Sequence, residues 1–480
     1  MQRCVVIGGG ISGMAAAILL AQQGMDVTLA EKAPRLGPLL RGFSRNGFHF
    51  ETGFHFAGGM AEGGVLRRWL KTLELDLPWN AFLPETEIVC TERGSHTLPT
   101  GNDALRDWTK RLFPASQKGM DDFLRSCAEI QNRSPYLSPH EIIPHDFFSH
   151  DACGLNEYLD GLRMEDELKT ILQARCMLYG VSPKDARRDD FFLVSGAYLH
   201  SSGALPGGGT AIVEACEKRL LSLGARLVCG KAAVALDIDE KQTRGVVLED
   251  GTRLPADVVI FTGRPSQLTN MLPAGALRPA YFRHIAAMEE TREPVILYGV
   301  ADHAVPPLHA WYFVPENGRF AMAEDERPSF CVTTGEETPQ GEKACIVMMM
   351  SQYEDAKEDH EKQQVQHIQR KKNLEKTLIP YIKKRFPLLE NHWRYIEIST
   401  GHAMKRWIYG SSGSFYGFAH TKTSIPISPA TKVRGLFLAG QNILFPGMLG
   451  CVISAAIAAG FAAGEDRILH RFRTCVKEEL

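Results

Sequence analysis

Two features near the start of the chain have the residue types and spacing to hold a phosphate-rich ligand. Gly8-Gly9-Gly10-Ile11-Ser12-Gly13 fits a Gly-x-Gly-x-x-Gly pattern, and a carboxylate, Glu31, follows about twenty residues further on. In such a pattern Gly8 permits a tight turn, Gly10 lets the backbone approach a pyrophosphate, and Gly13 lets a helix pack close to a strand. The amides around Ile11 and Ser12 then face the phosphates from a helix N-terminus. Glu31 can accept hydrogen bonds from the hydroxyls of an adenosine ribose and would repel a phosphorylated one. An isolated glycine triplet is equally a plain turn, so the chemistry depends on what flanks it.

The flanks are those a dinucleotide site needs. Cys4-Val5-Val6-Ile7 is a short apolar run suited to a buried parallel strand. The alanine- and leucine-rich stretch after Gly13 predicts a helix that packs through Ala17 and Leu20 and ends at Gly24. Asp26 to Ala30 is the second strand, with Glu31 at its end and Lys32 after it. A later block runs from Gly207-Gly208-Gly209 through a helix to Leu223, a strand to Val228, Val234, and the strand of Asp257-Val258-Val259-Ile260. Its glycine triplet follows Ala204-Leu205-Pro206 rather than a strand, so it is read as an entry turn and not a second phosphate loop. No second nicotinamide-binding motif is evident.

The stretch from Glu31 through Gly37-Pro38-Leu39-Leu40-Arg41 to Glu51-Thr52-Gly53 resembles the flavoprotein superfamily of phytoene desaturases, carotenoid isomerases, retinol saturases and amine oxidases. Gly435-Leu436-Phe437-Leu438-Ala439-Gly440-Gln441, with Gly447 and Gly450 and a small-residue helix to Gly464, is similar to that family's closing motif. The resemblance implies FAD as the cofactor. Arg41 approaches its pyrophosphate, the backbone near Val234 contacts adenine, Gly53 lies beside the ring, and Gly440, Gln441 and a helix after Gly450 face the ribityl chain and flavin. Pro38 replaces a customary second glycine, and Gln441 stands where most relatives carry aspartate, as in the retinol saturase branch.

The expected fold class is α/β: a discontinuous Rossmann-like FAD-binding domain, its parallel sheet flanked by helices, with an inserted mixed α+β substrate domain. The FAD-binding parts are 1–63, 205–264 and 426–470; the substrate or cover parts are 64–204 and 265–425; 471–480 is a C-terminal tail. The length of 480 residues suits two joined domains. Hydrophobic residues at 44% and charged residues at 23% are those of a folded globular protein, and a net charge of -2 without a basic cluster gives nucleic acid no footing. Eleven scattered cysteines with no Cys-x-x-Cys pair fit neither a disulfide framework nor a metal site, which favours a reducing cytoplasm. The apolar-rich stretch Ile453 to Ala463 is about half a bilayer span, so membrane contact is expected to be peripheral if present.

In the cover, Leu178 to Pro183 and Tyr198 to Gly209 match signposts of the carotenoid and retinol saturase branches, and Trp407, Tyr409, Phe415 and Tyr416 either line an apolar tunnel or simply pack. Pro135 to His150 is read as a mobile entrance, a membrane-resting patch or a buried loop, and Tyr353 to Leu389 as a solvated helix over the sheet. By motif position the protonatable candidates are His55, Lys405, Arg406 and Tyr409, with His55, Arg406 and Tyr409 taken as catalytic candidates. The implied substrate is an apolar small molecule whose carbon–carbon bonds are saturated, desaturated or isomerised, with an unidentified electron donor or acceptor. A flavin amine oxidase and an FAD-binding protein without turnover are the alternatives.

Overall fold

The computed structural model describes residues 1–78, 86–138, 153–314, 328–351, 360–408 and 413–477, with backbone only at 350–351, 360–367, 406–408 and 476–477. Its five-stranded parallel sheet runs in the order Leu436–Leu438, Val258–Phe261, Arg3–Ile7, Asp26–Glu31, Arg226–Cys229. Every one of these strands comes from 1–63, 205–264 or 426–470. Covered strands of this kind read as unbroken apolar runs, which is how Cys4-Val5-Val6-Ile7 and Val258-Val259-Ile260-Phe261 appear in the sequence.

The opening helix, Ile11–Gln22, is buried at every residue from Ile11 to Leu20. It is enclosed by the sheet, by the helix Gly208–Ser222 and by the closing helix Gly447–Ala463. Alanines at 15 to 17 on one helix and at 455, 456, 458 and 459 on the other, all without exposed surface, let the two axes approach closely. A continuous run of small apolar residues is what a helix buried all round requires.

The second sheet has seven strands, in the order Trp393–Ser399, Glu293–Ala301, Lys343–Ser351, Ser329–Glu337, Ala310–Phe313, Glu87–Thr91, Gly94–Leu98. It is mixed, antiparallel except where Ala310–Phe313 runs parallel to Glu87–Thr91. Its strand Glu293–Ala301 is buried at all nine positions because its alternate residues serve two cores. Val295 and Leu297 face a helix at residues His360–Arg385, whereas Ile296, Tyr298 and Val300 face the rest of the chain.

The charged helix expected over the sheet within Tyr353 to Leu389 runs over His360–Arg385, with Leu378 and Ile382 buried against the seven-stranded sheet. Two expectations change. The stretch expected as a tail at 471–480 is helical through Lys477 within Glu465–Lys477; Phe472 has no exposed surface and stacks on Trp69 at 4.2 Å. The closing helix starts at Gly447 instead of after Gly450, with Pro446 as its N-cap. Proline supplies no amide hydrogen and presets the backbone, so it starts this helix one turn early.

Most of the 135–150 segment lies outside the described residues. Its Tyr136 and Leu137 are buried, and the Tyr136 hydroxyl donates to Glu465 Oε1 at 3.0 Å, so these two pack inside the protein. Among the described residues no helix is long and apolar enough to cross a membrane.

Candidate functional site

Backbone geometry sets the phosphate end. Gly8 has φ +108°, its amide donates to the Ala30 carbonyl at 2.8 Å, and a Cβ there would meet Thr262 Oγ1 at 2.4 Å. A Cβ on Gly13 would sit 1.8 Å from the Gly8 carbonyl oxygen, so only glycine lets the helix lie this close to the turn. Gly10 differs: a Cβ there meets nothing within 4 Å. The first residue of the cradle that faces open space is therefore the N-cap of the twelve-residue opening helix, where free amides gather.

Glu31 closes this turn. Its Oε2 accepts from the Gly9 amide at 2.5 Å and its Oε1 from the Ala33 amide at 2.7 Å, and the side chain is buried. The adjoining Lys32 ammonium is lowered to about 8, first by desolvation and against the pull of Glu31. The Gly37 amide, at φ +63°, donates to the Gly9 carbonyl at 2.8 Å, which ties the second glycine segment to the first despite Pro38. The amides of Gly230 and Lys231 bond the carbonyls of Ala33 and Glu31, so the chain leading to Val234 passes beside the carboxylate end.

Arg41, the residue expected to approach the pyrophosphate, is held by its neighbours. Its guanidinium bonds the Leu36 carbonyl at 2.9 Å and pairs with Glu217 at 2.9 Å, because the helix Gly208–Ser222 presents that acid alongside. Gly450 is a packing glycine, with the Phe445 carbonyl 2.0 Å from where its Cβ would be. Gly440, at φ +115°, donates its amide to Ser454 Oγ at 3.0 Å, and a Cβ there would lie 3.7 Å from Ser12 Oγ and 3.5 Å from the Thr262 carbonyl. Gly447 leaves open space at the start of the closing helix. Two helix N-termini, at Gly10 and Gly447, thus face open space, and Ser12 Oγ lies beside Gly440. These donors and missing side chains fit a flavin dinucleotide.

Gly447 also lines a cavity with about 860 Å³ of space, mouth included. Gly53, Phe54, His55 and Phe56 form one wall, Met348 and Met349 of the seven-stranded sheet another, and Phe415, Tyr416, Gly447 and Met448 a third. Phe330 and Tyr198 complete an aromatic cluster around Phe56, at 5.8 and 5.6 Å between ring centres. Burial raises the Tyr198 and Tyr416 hydroxyls well above the ordinary range, so both stay protonated. Among the described residues no carboxylate lines this cavity.

His55 is the one imidazole in the lining. Its ring is partly open to the cavity, yet both nitrogens are shielded and neither has a protein partner. Desolvation lowers it to about 4, so it is neutral at physiological pH. Between about pH 6.5 and 4 the unfolded chain takes up a proton here and the folded chain does not, so stability falls as pH falls through that window. Relative to His55→Phe, the wild-type protein is expected to lose about 2 kcal/mol between pH 7 and pH 5, read from urea unfolding midpoints. Equal losses in both proteins would show that His55 is not held neutral.

The side chain of Arg406 and the whole of Tyr409 lie outside the described residues, as does the Trp407 side chain; Lys405 lies on the helix Gly401–Ile408 and does not line the cavity. Sequence reasoning missed Met348 and Met349, whose methionine run carries no motif, and a buried ion pair behind the cavity, Arg175 with Glu87 at 3.2 Å. Glu87 also accepts from Ser202 Oγ at 2.5 Å and from the Tyr312 hydroxyl at 3.1 Å.

A family model described as flavin containing amine oxidoreductase matches residues 11–461. An all-trans-retinol 13,14-reductase of Danio rerio is 22% identical, over 98% of this chain and 87% of that protein. A 4,4'-diaponeurosporene oxygenase of Staphylococcus haemolyticus is 23% identical over 54% of each chain. Among solved structures, an oxidoreductase from Methanosarcina mazei superposes with a TM-score of 0.68 at 15% identity, covering 95% of this chain and 99% of that one. A mutant of putrescine oxidase gives 0.64 at 13% identity, over 96% and 98%.

Proposed function

Because the chain belongs to the flavin containing amine oxidoreductase family, we propose that it is an FAD-dependent oxidoreductase acting on a carbon–carbon bond of an apolar polyene or isoprenoid chain. The observation that carries this reading is the cavity beside Gly447, walled by aromatic and methionine side chains and, among the described residues, without a carboxylate. A cationic amine entering it would lose its hydration with no anion to replace it, which costs several kcal/mol. A hydrocarbon chain loses nothing of the kind and gains about 25 cal/mol for each Å² of apolar surface covered. The retinoid and carotenoid names of the relatives support the same class.

FAD, rather than a shorter flavin, is supported by the adenosine end: the Gly8 to Gly13 turn for a pyrophosphate and the Glu31 carboxylate for a ribose. Bound FAD supplies hydride transfer to or from carbon. The protein's part is to hold the chain still and keep water out. Phe56, Phe330, Phe415 and Tyr416 are placed to clamp a flat conjugated chain. His55 and the Tyr198 and Tyr416 hydroxyls are the cavity groups able to hold or pass a proton, and His55 does so as a neutral imidazole.

The test is the visible spectrum of purified holoprotein, recorded anaerobically while liposomes carrying long polyenes or polyprenyl compounds are added. Bleaching of the oxidised enzyme, or reoxidation of prereduced enzyme, by the apolar chain is the expected result. Flavin that responds only to amines, with peroxide released in air, would replace this reading with an amine oxidase. Flavin that responds to neither class would leave a binding protein without turnover.

A further inference from the structure

The phosphate end of the site and the aromatic wall of the cavity come from opposite directions, and a side-chain amide joins them. Gln441, directly after Gly440, donates from Nε2 to the Phe415 carbonyl at 3.1 Å. The next residue, Asn442, accepts from the Phe418 amide at 2.9 Å. Gly417, at φ +77°, packs so tightly on that asparagine that a Cβ would meet Asn442 Oδ1 at 2.1 Å. On the other flank, the Ser414 carbonyl accepts from Arg264 at 2.6 Å and Ser414 Oγ pairs with Thr291 at 2.6 Å. Between these anchors stand Phe415 and Tyr416, edge to face at 5.1 Å, and both line the cavity.

A backbone carbonyl can only accept, so position 441 must present a donor. Glutamine does; an ionised carboxylate of the same length would oppose one acceptor with another. We propose that Gln441 is a positioning residue which sets the Phe415–Tyr416 wall from the cofactor end of the site. This rests on the reading of Gly440 and its neighbours as part of the FAD site. A ligand resting on Phe415 and Tyr416 and a cofactor resting on Gly440 and Ser12 then share one hydrogen-bonded unit, and each tightens the other's site by the same factor.

The discriminating variant is Gln441→Glu, studied as holoprotein beside the wild type, by amide hydrogen exchange of residues 413–418 and by equilibrium dialysis of the polyene parinaric acid. At about pH 8 the variant, kept saturated with FAD, is expected to exchange faster at 413–418 by about tenfold with Ile11–Gln22 unchanged, and to bind the probe about tenfold more weakly. At about pH 5 a carboxyl group beside a carbonyl takes up a proton and donates again, returning probe affinity to within about twofold of wild type at that pH. The titratable neighbours are His420, whose Nε2 lies 3.0 Å from the Gln441 carbonyl, and the Cys451 thiol, with Asp190 and Arg187 beyond His420. Burial lowers His420, against the opposing pull of Asp190, and raises Cys451, so the thiol stays neutral across this range.

Unchanged exchange at 413–418, or weak binding at both pH values, overturns the proposal. Wild-type protein that fails to bind parinaric acid overturns the apolar reading of the cavity instead, and the exchange measurement then decides the role of Gln441 by itself.

Discussion

Gly10→Val is expected to purify folded and colourless. The backbone at Gly10, with φ -74° and ψ 179°, is one that valine adopts readily, and no atom lies within 4 Å of the added Cβ. Folding therefore has no reason to fail. The new side chain instead fills the space in front of the opening helix where a pyrophosphate would meet the free amides. An affinity loss of at least about a hundredfold, about 2.7 kcal/mol, is expected. The measurement is the flavin absorbance per protein after reconstitution with FAD, alongside the unfolding midpoint of the FAD-free protein. Gly13→Ala serves as the contrast, because its methyl group would collide with the Gly8 carbonyl and should lower the unfolding midpoint. Stoichiometric flavin in Gly10→Val would remove the glycine turn from the cofactor site.

The second large effect is expected from Glu87→Ala. Glu87 and Arg175 each expose only 2% of the side chain, and the carboxylate also collects Ser202 and Tyr312. Removing it strands a buried guanidinium and at least one buried hydroxyl. Such a loss costs about 3–5 kcal/mol, a large share of the stability of most domains. Replacing both partners, as in Glu87→Met with Arg175→Met, should recover most of that cost, since no charge is then left unpaired. Denaturant unfolding of the two variants and the wild type provides the comparison. A single variant as stable as wild type would mean that the pair is not buried as the geometry has it.

The glycine turn, the opening strand and helix, Glu31 at the end of the second strand, and the return of the strands at 258–261 and 436–438 were all legible in the sequence. The ion pair of Arg41 was not. It depends on where the helix that carries Glu217, almost two hundred residues later, is laid, and no local pattern carries that. The helical end of the expected tail was missed because the amphipathic pattern from Glu465 was cut at an assumed boundary, although Phe472 lies in step with Ile468 and Leu469 as a buried face. His55 was singled out by its place after Gly53, but its two unpartnered nitrogens are a tertiary fact.

What the sequence determined by itself was the cofactor end of the protein. There the requirement falls on consecutive backbone: glycines that allow a positive φ or a close approach, a helix that begins at once, an acid at a strand end. Each is written in residues that stand next to one another, so reading the chain in order reads the site. The cavity was decided only by the tertiary structure. Its walls come from residues near 55, 177, 348, 415 and 448, which only the folded chain brings together; of these only the stretch near 348 is a strand of the seven-stranded sheet. The forces that build it are apolar burial and shape. These are indifferent to sequence distance and give Met348, Met349 or Phe330 no mark to distinguish a cavity wall from an ordinary core.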